Sequence, residues 1–433
     1  VFDSHAEAEA AGDVVTVRAR RAVVLLALSG LAAPASAQDI EVDRSSGTVA
    51  LTLEMGSPVV TLTLRKPDGS ARPTRFLVDT GGGALMLAEP VAIELGLAID
   101  RAQVTEEEGS TYAPMTPPLI EIEHLTLDLT DARCMAVLGS PTIMPGTTPE
   151  GFLPGHVLMR HQVVFDYPAG RFTLARPGTL EPRGKPVPTA IQPSNGFPRL
   201  EVEIGGERFG FLLDTGASFS MVSIEQLKRW QQADESLPWM TGAVGEANMM
   251  GGVFDSQAIM MRLPAMRWGP FELKGVAAVS RRAGTFERGM SSMMTAPIIG
   301  ALGSSLLRHF RVEIDYAAGV TYLEPAGEDF STEVLTVGLV LGQTEDGRHR
   351  VDASTMGGGV QPGDFLVSVD GRPTAGLCHR QVVELLGGEL GARRQLVLDR
   401  NGETVEITAA VARQLAPEAE KVDHAPAPAP DGR

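Results

Sequence analysis

The sequence predicts a mainly β protein of two similar β-barrel-like lobes followed by a small α+β module, and three observations predict it. An apolar run ending in Asp-Thr-Gly occurs twice, as Phe76-Leu77-Val78-Asp79-Thr80-Gly81 and Phe211-Leu212-Leu213-Asp214-Thr215-Gly216, 135 residues apart. A closing pattern recurs as well: Gly151 precedes Asp166 by 15 residues and Gly300 precedes Asp315 by 15, and each acid opens Asp-Tyr-x-Ala-Gly shortly after an Arg-His pair. Two motifs repeated in the same order mark two copies of one unit. After Pro325 the pattern changes to strands, one amphipathic helix and a hairpin, so a different module follows.

The 433 residues suffice for several domains, and 43% hydrophobic with 21% charged residues provides for sizeable cores. A net charge of −17 without a Lys/Arg block argues against a nucleic-acid partner. Arg18, Arg20 and Arg21 precede an apolar run over 22–33 and then Ala35-Ser36-Ala37, which predicts an export leader cut near Ala37. That run is too short to span a bilayer, and no cysteine follows it to carry a lipid. Only Cys134 and Cys378 are present, so no disulfide framework is expected. The eight histidines form no HExxH or Cys/His cluster, so neither metal nor cofactor is expected.

In chain order, alternation at Val49, Leu51, Leu53 and at Val60, Leu62, Leu64 predicts a hairpin over 48–64 turning at Gly56-Ser57-Pro58. Lys66-Pro67-Asp68-Gly69-Ser70 turns into the strand ending at Asp79, and a short helix from Pro90 to Leu95 stops at Gly96. Residues 106–129 suggest a hairpin with an exposed tip at 109–113, Gly151-Phe152-Leu153 a helical turn, and 163–174 a strand pair. The Pro- and Gly-containing stretch 177–188 is the linker candidate. The plan then repeats: a hairpin around Gly205-Gly206, a helix over 223–232, a Gly- and Met-rich segment over 242–252, and a strand pair over 312–323. In the last module, 334–341 is expected as a strand, 379–386 as a helix, and 394–409 as a hairpin around Asn401-Gly402. Alternating Ala and Pro from residue 416 predicts a disordered end. The boundaries are thus 1–37 extension and leader, 38–176 first lobe, 177–188 linker, 189–326 second lobe, 327–413 module and 414–433 tail.

An acid at the end of a buried strand costs stability unless something uses it. If the copies fold alike about a two-fold axis, Asp79 faces Asp214. Two carboxylates about 3 Å apart cannot both ionise readily, so they share a proton. Such a pair can take a proton from water with its ionised member and donate one to a carbonyl oxygen with the other. Thr80 and Thr215 can hydrogen-bond to the opposite lobe's backbone, while Gly81 and Gly216 allow a tight turn that brings N–H groups to the carboxylates. One chain carries both acids, so dimerisation is not required.

These residues resemble the pepsin/retropepsin-like aspartic peptidases of the tandem two-lobe type over residues 48–325. The resemblance implies a bilobal acid-protease fold, an extended polypeptide substrate in the cleft, and flaps above it, with Tyr112 on the first and Met249, Met250 and Gly251 on the second. Ile298-Ile299-Gly300 fits the family's hydrophobic-hydrophobic-Gly pattern; Pro149-Glu150-Gly151 and the Gly82 after the first Asp-Thr-Gly depart from the family, whereas Ala217 conforms. Residues Val334 to Val411 resemble a PDZ domain of the kind attached to bacterial periplasmic proteases, through Pro362-Gly363-Asp364-Phe365-Leu366-Val367-Ser368-Val369-Asp370-Gly371. That implies recognition of an extended peptide or free C-terminus, with Val337, Gly338, Leu339 and Val340 near its carboxylate. The expected function is an exported, periplasmic aspartic endopeptidase. The alternative is a non-catalytic peptide-binding scaffold, which would tolerate loss of either acid.

Overall fold

The computed structural model describes residues 44–107, 109–144, 146–248, 258–356 and 359–416. The expected leader, the tail beyond 416, and Met249, Met250 and Gly251 lie outside the described residues. Most described regular structure is β. Asp79 ends the strand Ala71–Asp79, whose Phe76 and Val78 are fully buried. This strand is central because the antiparallel Ser57–Arg65 flanks one edge and the parallel Gly151–Pro154 the other, with Phe76 opposite Gly151 and Asp79 opposite Pro154.

The second half is built alike: Glu207–Leu213 lies between antiparallel Pro198–Ile204 and parallel Gly300–Leu302, with Phe211 opposite Gly300. Glycine is required at both points, at Gly151 because a phenylalanine ring fills the space and at Gly300 because the Met221 carbonyl oxygen, 2.3 Å from where a Cβ would lie, and a phenylalanine ring both fill it. A Cβ on Gly151 would lie 2.4 Å from the Phe76 ring, and one on Gly300 would lie 2.8 Å from that of Phe211. The helical turn expected at Gly151-Phe152-Leu153 is therefore corrected to a strand, held extended by ladders to Phe76 and Leu87; the helical turn is Gly155–Leu158.

The halves join through the strands Gln162–Asp166 and Phe310–Asp315, which pair antiparallel with Gln162 opposite Asp315, Val164 opposite Glu313 and Asp166 opposite Arg311. They are the same element of each copy, so the register is two-fold symmetric about the Val164–Glu313 pair. Glu313 is fully buried there, satisfied by Arg311 at 2.8 Å and by Gln162 Nε2 at 2.7 Å. Part of the stretch read as a linker, Lys185–Pro188, adds an outer strand beside Val320–Pro325. Its two prolines are tolerated because among the described residues no strand pairs with its far edge.

Other expectations shift for local reasons. The first hairpin turns at Met55 and Gly56, with φ of 51° and 81°, so Ser57 and Pro58 already belong to the strand. Residues 105–126 hold two hairpins, and Ala113, expected at an exposed tip, is buried opposite Ala136. The strand expected over 334–341 breaks at Gly338, where φ is 81°, into Leu335–Thr336 and Leu339–Gln343.

The C-terminal residues have their own sheet, in the order Leu339–Gln343, His349–Ser354, Phe365–Val369, Arg393–Arg400 and Glu403–Ala410. The helix His379–Leu385 covers it, with Val382 and Leu386 packed among Leu341, Val351 and Leu396. Asn401 and Gly402 take φ of 54° and 90°, the left-handed pair of a tight hairpin turn.

Candidate active site

Asp79 and Asp214 stand where the two matched central strands stop. Thr80 Oγ1 donates to Leu213 O at 2.5 Å and Thr215 Oγ1 donates to Val78 O at 2.9 Å. Each hydroxyl also accepts the other threonine's backbone N–H, both at 3.1 Å. Both threonines are fully buried, so no water competes for these four crossed bonds. Thr215→Val keeps the volume but strands Val78 O and the Thr80 N–H. At roughly 1–3 kcal/mol for each buried group left unpaired, the expected loss is about 2–6 kcal/mol. Urea unfolding checks it, and an unchanged midpoint would show that the crossed bonds carry no stability.

The glycines let the acids approach. A Cβ on Gly216 would lie 2.2 Å from Cγ of Asp79, and one on Gly81 would lie 3.2 Å from Cγ of Asp214. Each carboxylate is also held by its own turn: the Gly81 N–H donates to Asp79 Oδ1 at 2.7 Å and the Ala217 N–H to Asp214 Oδ1 at 2.9 Å.

Burial is the largest influence on both acids and pushes both above the ordinary carboxylate range. For Asp79 the charge of Asp214 adds to this, against the Gly81 and Gly216 amides; for Asp214 the Ala217 amide, the bond to Asp79 and the charge of Arg281 hold the rise back. A raised carboxyl pKa means that the folded chain keeps protons the unfolded chain has released. The pair's contribution to stability is therefore greatest below the unfolded pKa and falls as pH climbs through the raised folded values. Asp79→Asn removes one of the two charges, so its melting temperature should exceed the parent's near about pH 7.5, with the gap closing toward about pH 4. A gap that does not change with pH would refute the shared charge.

The departures of the first copy are compensated locally. A Cβ on Gly82 would lie 2.3 Å from the ring of Phe152, which stands beside Leu77 in the ladder. The corresponding pair in the second half is Ala217 and Ala301, so side-chain volume is exchanged between two neighbouring positions. Glu150, where the second copy has Ile299, is bound by Arg72 at 2.8 Å.

Tyr112 is half-buried on the strand Ser110–Pro114, packed with Leu77, Val137, Ile143 and Phe152. Among the described residues its hydroxyl makes no hydrogen bond to either acid. Met249, Met250 and Gly251 lie outside the described residues. Val337, Leu339 and Val340 are buried, and Val340 packs on Gly242 of the second half, where a Cβ would lie 2.9 Å from its methyl groups. Gly338 faces the Thr355 hydroxyl.

Sequence reasoning passed over several hydroxyls. Ser57 Oγ donates to Gly216 O and Ser304 Oγ to Thr215 O, both at 2.9 Å, so the second Asp-Thr-Gly turn is clasped from both halves. Tyr167 and Tyr316 are buried, and burial raises both phenols, with the charge of Asp79 adding to each. Tyr167 lies 3.4 Å from Ser304 Oγ. A signal for the tyrosines existed in the repeated Asp-Tyr-x-Ala-Gly. The serines had none, because their partners are set by tertiary approach.

Among the described residues no group of His, Cys, Asp and Glu is placed to hold a metal ion, and no helix is long and apolar enough to cross a membrane. No curated protein matches the chain. Residues 200–306, which carry Asp214, Thr215 and Gly216, match the Aspartyl protease family, and this supports an aspartic-protease-like domain of the hydrolase kind.

Proposed function

We propose that this chain is an exported aspartic endopeptidase, cutting extended polypeptides with a water activated between Asp79 and Asp214. The observation that carries the reading is the crossed pair of threonine hydrogen bonds, which holds two pKa-raised carboxyls against each other. The pair shares one proton at rest, and the charge of Arg281 biases the anion toward Asp214. The ionised carboxylate removes a proton from water while the protonated one gives its proton to the peptide carbonyl oxygen. A C–O bond forms and a tetrahedral carbon results. On collapse the carboxyl that took the water's proton gives it to the amide nitrogen while the other carboxylate takes back the proton it gave to the carbonyl oxygen; the C–N bond breaks, an acid and an amine leave, and the pair again holds one proton. Both acids belong to one chain, so a second copy is not needed. The basic-apolar-small pattern at 18–37 supports export with removal near Ala37, and the PDZ-like pattern of the last module supports a periplasmic setting and a role in peptide recognition.

The test is hydrolysis of an unfolded protein by the chain from Gln38 onward, from acid to neutral pH. Internal cuts are expected, strongest on the acid side. A peptide bearing a secondary alcohol in place of the scissile carbonyl should block them competitively, because it mimics the tetrahedral carbon. Peptide binding without any cleavage would sink the enzyme reading in favour of a scaffold.

A further inference from the structure

Several contacts join the C-terminal module to the second half, among them Thr332 Oγ1 accepting from the Ala277 N–H and Val340 lying on Gly242, and one short segment reaches both the strand and the helix of the module. Asn248 Nδ2 donates to Leu341 O at 3.1 Å, on Leu339–Gln343, an edge strand of the module's sheet. The backbone O of Asn248 accepts from His379 Nε2 at 3.0 Å, at the start of the module's helix. One residue thus bridges strand and helix, where an added peptide would lie. A carbonyl only accepts, so His379 carries its proton on Nε2, and its buried Nδ1 has no partner among the described residues. Burial, with the charges of His349 and Arg380 adding and the bond to Asn248 opposing, lowers its pKa to about 4, so the ring is a neutral donor. Val244 and Ala247 share one apolar cluster with Val340 of the module and with Leu415, just beyond it.

The same segment touches the acid's turn. Ser218 Oγ donates to Glu246 O at 3.2 Å, and the Glu246 carboxylate pairs with Arg308. Ser218 follows Ala217, whose N–H holds Asp214 Oδ1. A continuous set of contacts therefore runs from the module through Asn248 and Glu246 to the turn that positions Asp214. The helix start also meets the first half, where a Cβ on Gly146 would lie 1.9 Å from Cys378 Sγ.

We propose that the module carries a peptide-binding site whose resident ligand is the chain's own segment 245–248, and that it acts in cis to hold the Asp214 turn. The catalytic consequence rests on the peptidase reading; the binding site does not. An extended peptide from outside reaches the Leu339–Gln343 edge by displacing Asn248, so such a peptide loosens the turn.

The experiment uses the full chain, His379→Ala and Asn248→Ala, with amide hydrogen exchange, kinetics, and the synthetic peptide Ala-Val-Gly-Glu-Ala-Asn, copied from residues 243–248, as probe. Exchange at 245–248 and at the Ala217 amide should quicken at least about tenfold in both variants, and kcat should fall more than KM rises. The probe should bind Asn248→Ala about tenfold more tightly than the parent, since the resident ligand is weakened, and should lose affinity for His379→Ala, since the site is damaged. Unchanged exchange at Ala217, or equal probe binding by all three proteins, would overturn the proposal. Should a variant not fold, the parent decides: added probe must accelerate Ala217 exchange. A parent that cleaves nothing removes the peptidase reading, while the exchange and probe measurements still judge the binding site.

Discussion

Asp214→Asn is expected to reduce cleavage of an unfolded protein by at least about 10³-fold, within the range by which positioned acid-base groups accelerate proton transfer. Asn keeps the shape and the bond from the Ala217 N–H to its side-chain oxygen, so the turn survives. What it loses is the capacity to take a proton from water. Asp79→Asn should cost as much, because the two acids act as a unit, and the double variant should be little worse than either single one. The comparison is made on folded protein, which the melting behaviour of Asp79→Asn already tests. A rate within tenfold of the parent for either variant would remove the shared-dyad mechanism.

Gly216→Ala is the second large expected loss, and the contrast with Gly81→Ala makes it specific. The new methyl at 216 would fall 2.2 Å from Cγ and 2.3 Å from Oδ2 of Asp79, closer than any real contact, so the carboxyl must swing away. At 81 the nearest atoms are Leu212 Cδ2 at 3.1 Å and Asp214 Cγ at 3.2 Å, distances that neighbours absorb by moving a few tenths of an ångström. Neither glycine has a positive φ, so the backbone tolerates alanine at both. Gly216→Ala should therefore fold yet lose at least about 10²-fold in kcat, the scale expected when a reacting group is misplaced by about 1 Å. Gly81→Ala should retain most of its activity. Equal losses would mean that the asymmetry of the two glycines does not matter to the chemistry.

The strands that end at Asp79 and Asp214 were legible because an apolar run closing on an acid and a glycine is locally unambiguous, and because it occurs twice. The symmetric joining of the halves was half legible: the repeated Asp-Tyr-x-Ala-Gly marked the two hairpins, but their register against each other depends on the completed halves. Gly151-Phe152-Leu153 was misread because a short apolar run after a glycine suits a helical turn as well as a strand, and the ladder from Phe76 decided it. The break at Gly338 and the strand at Lys185–Pro188 escaped for the same reason, since pairing partners far along the chain determine both. Asn248 had no signal at all. An asparagine beside glycines and methionines resembles any loop residue until His379 and Leu341 are brought to it.

The joining strand Gln162–Asp166 has a consequence for how the chain must be made. Until the second half is complete, its outward edge offers a row of unpaired N–H and C=O groups to any neighbour. Its natural complement is two-fold related, so an unfinished or truncated chain can dock the same strand of another molecule in the same register. A nascent first half is thus self-complementary, and pairing between two such halves competes with the correct joint until the second half is complete. Burying Glu313 at the centre of the correct joint discriminates against that error, because two first halves would set Val164 against Val164 and leave Gln162 without the carboxylate it binds in the finished chain.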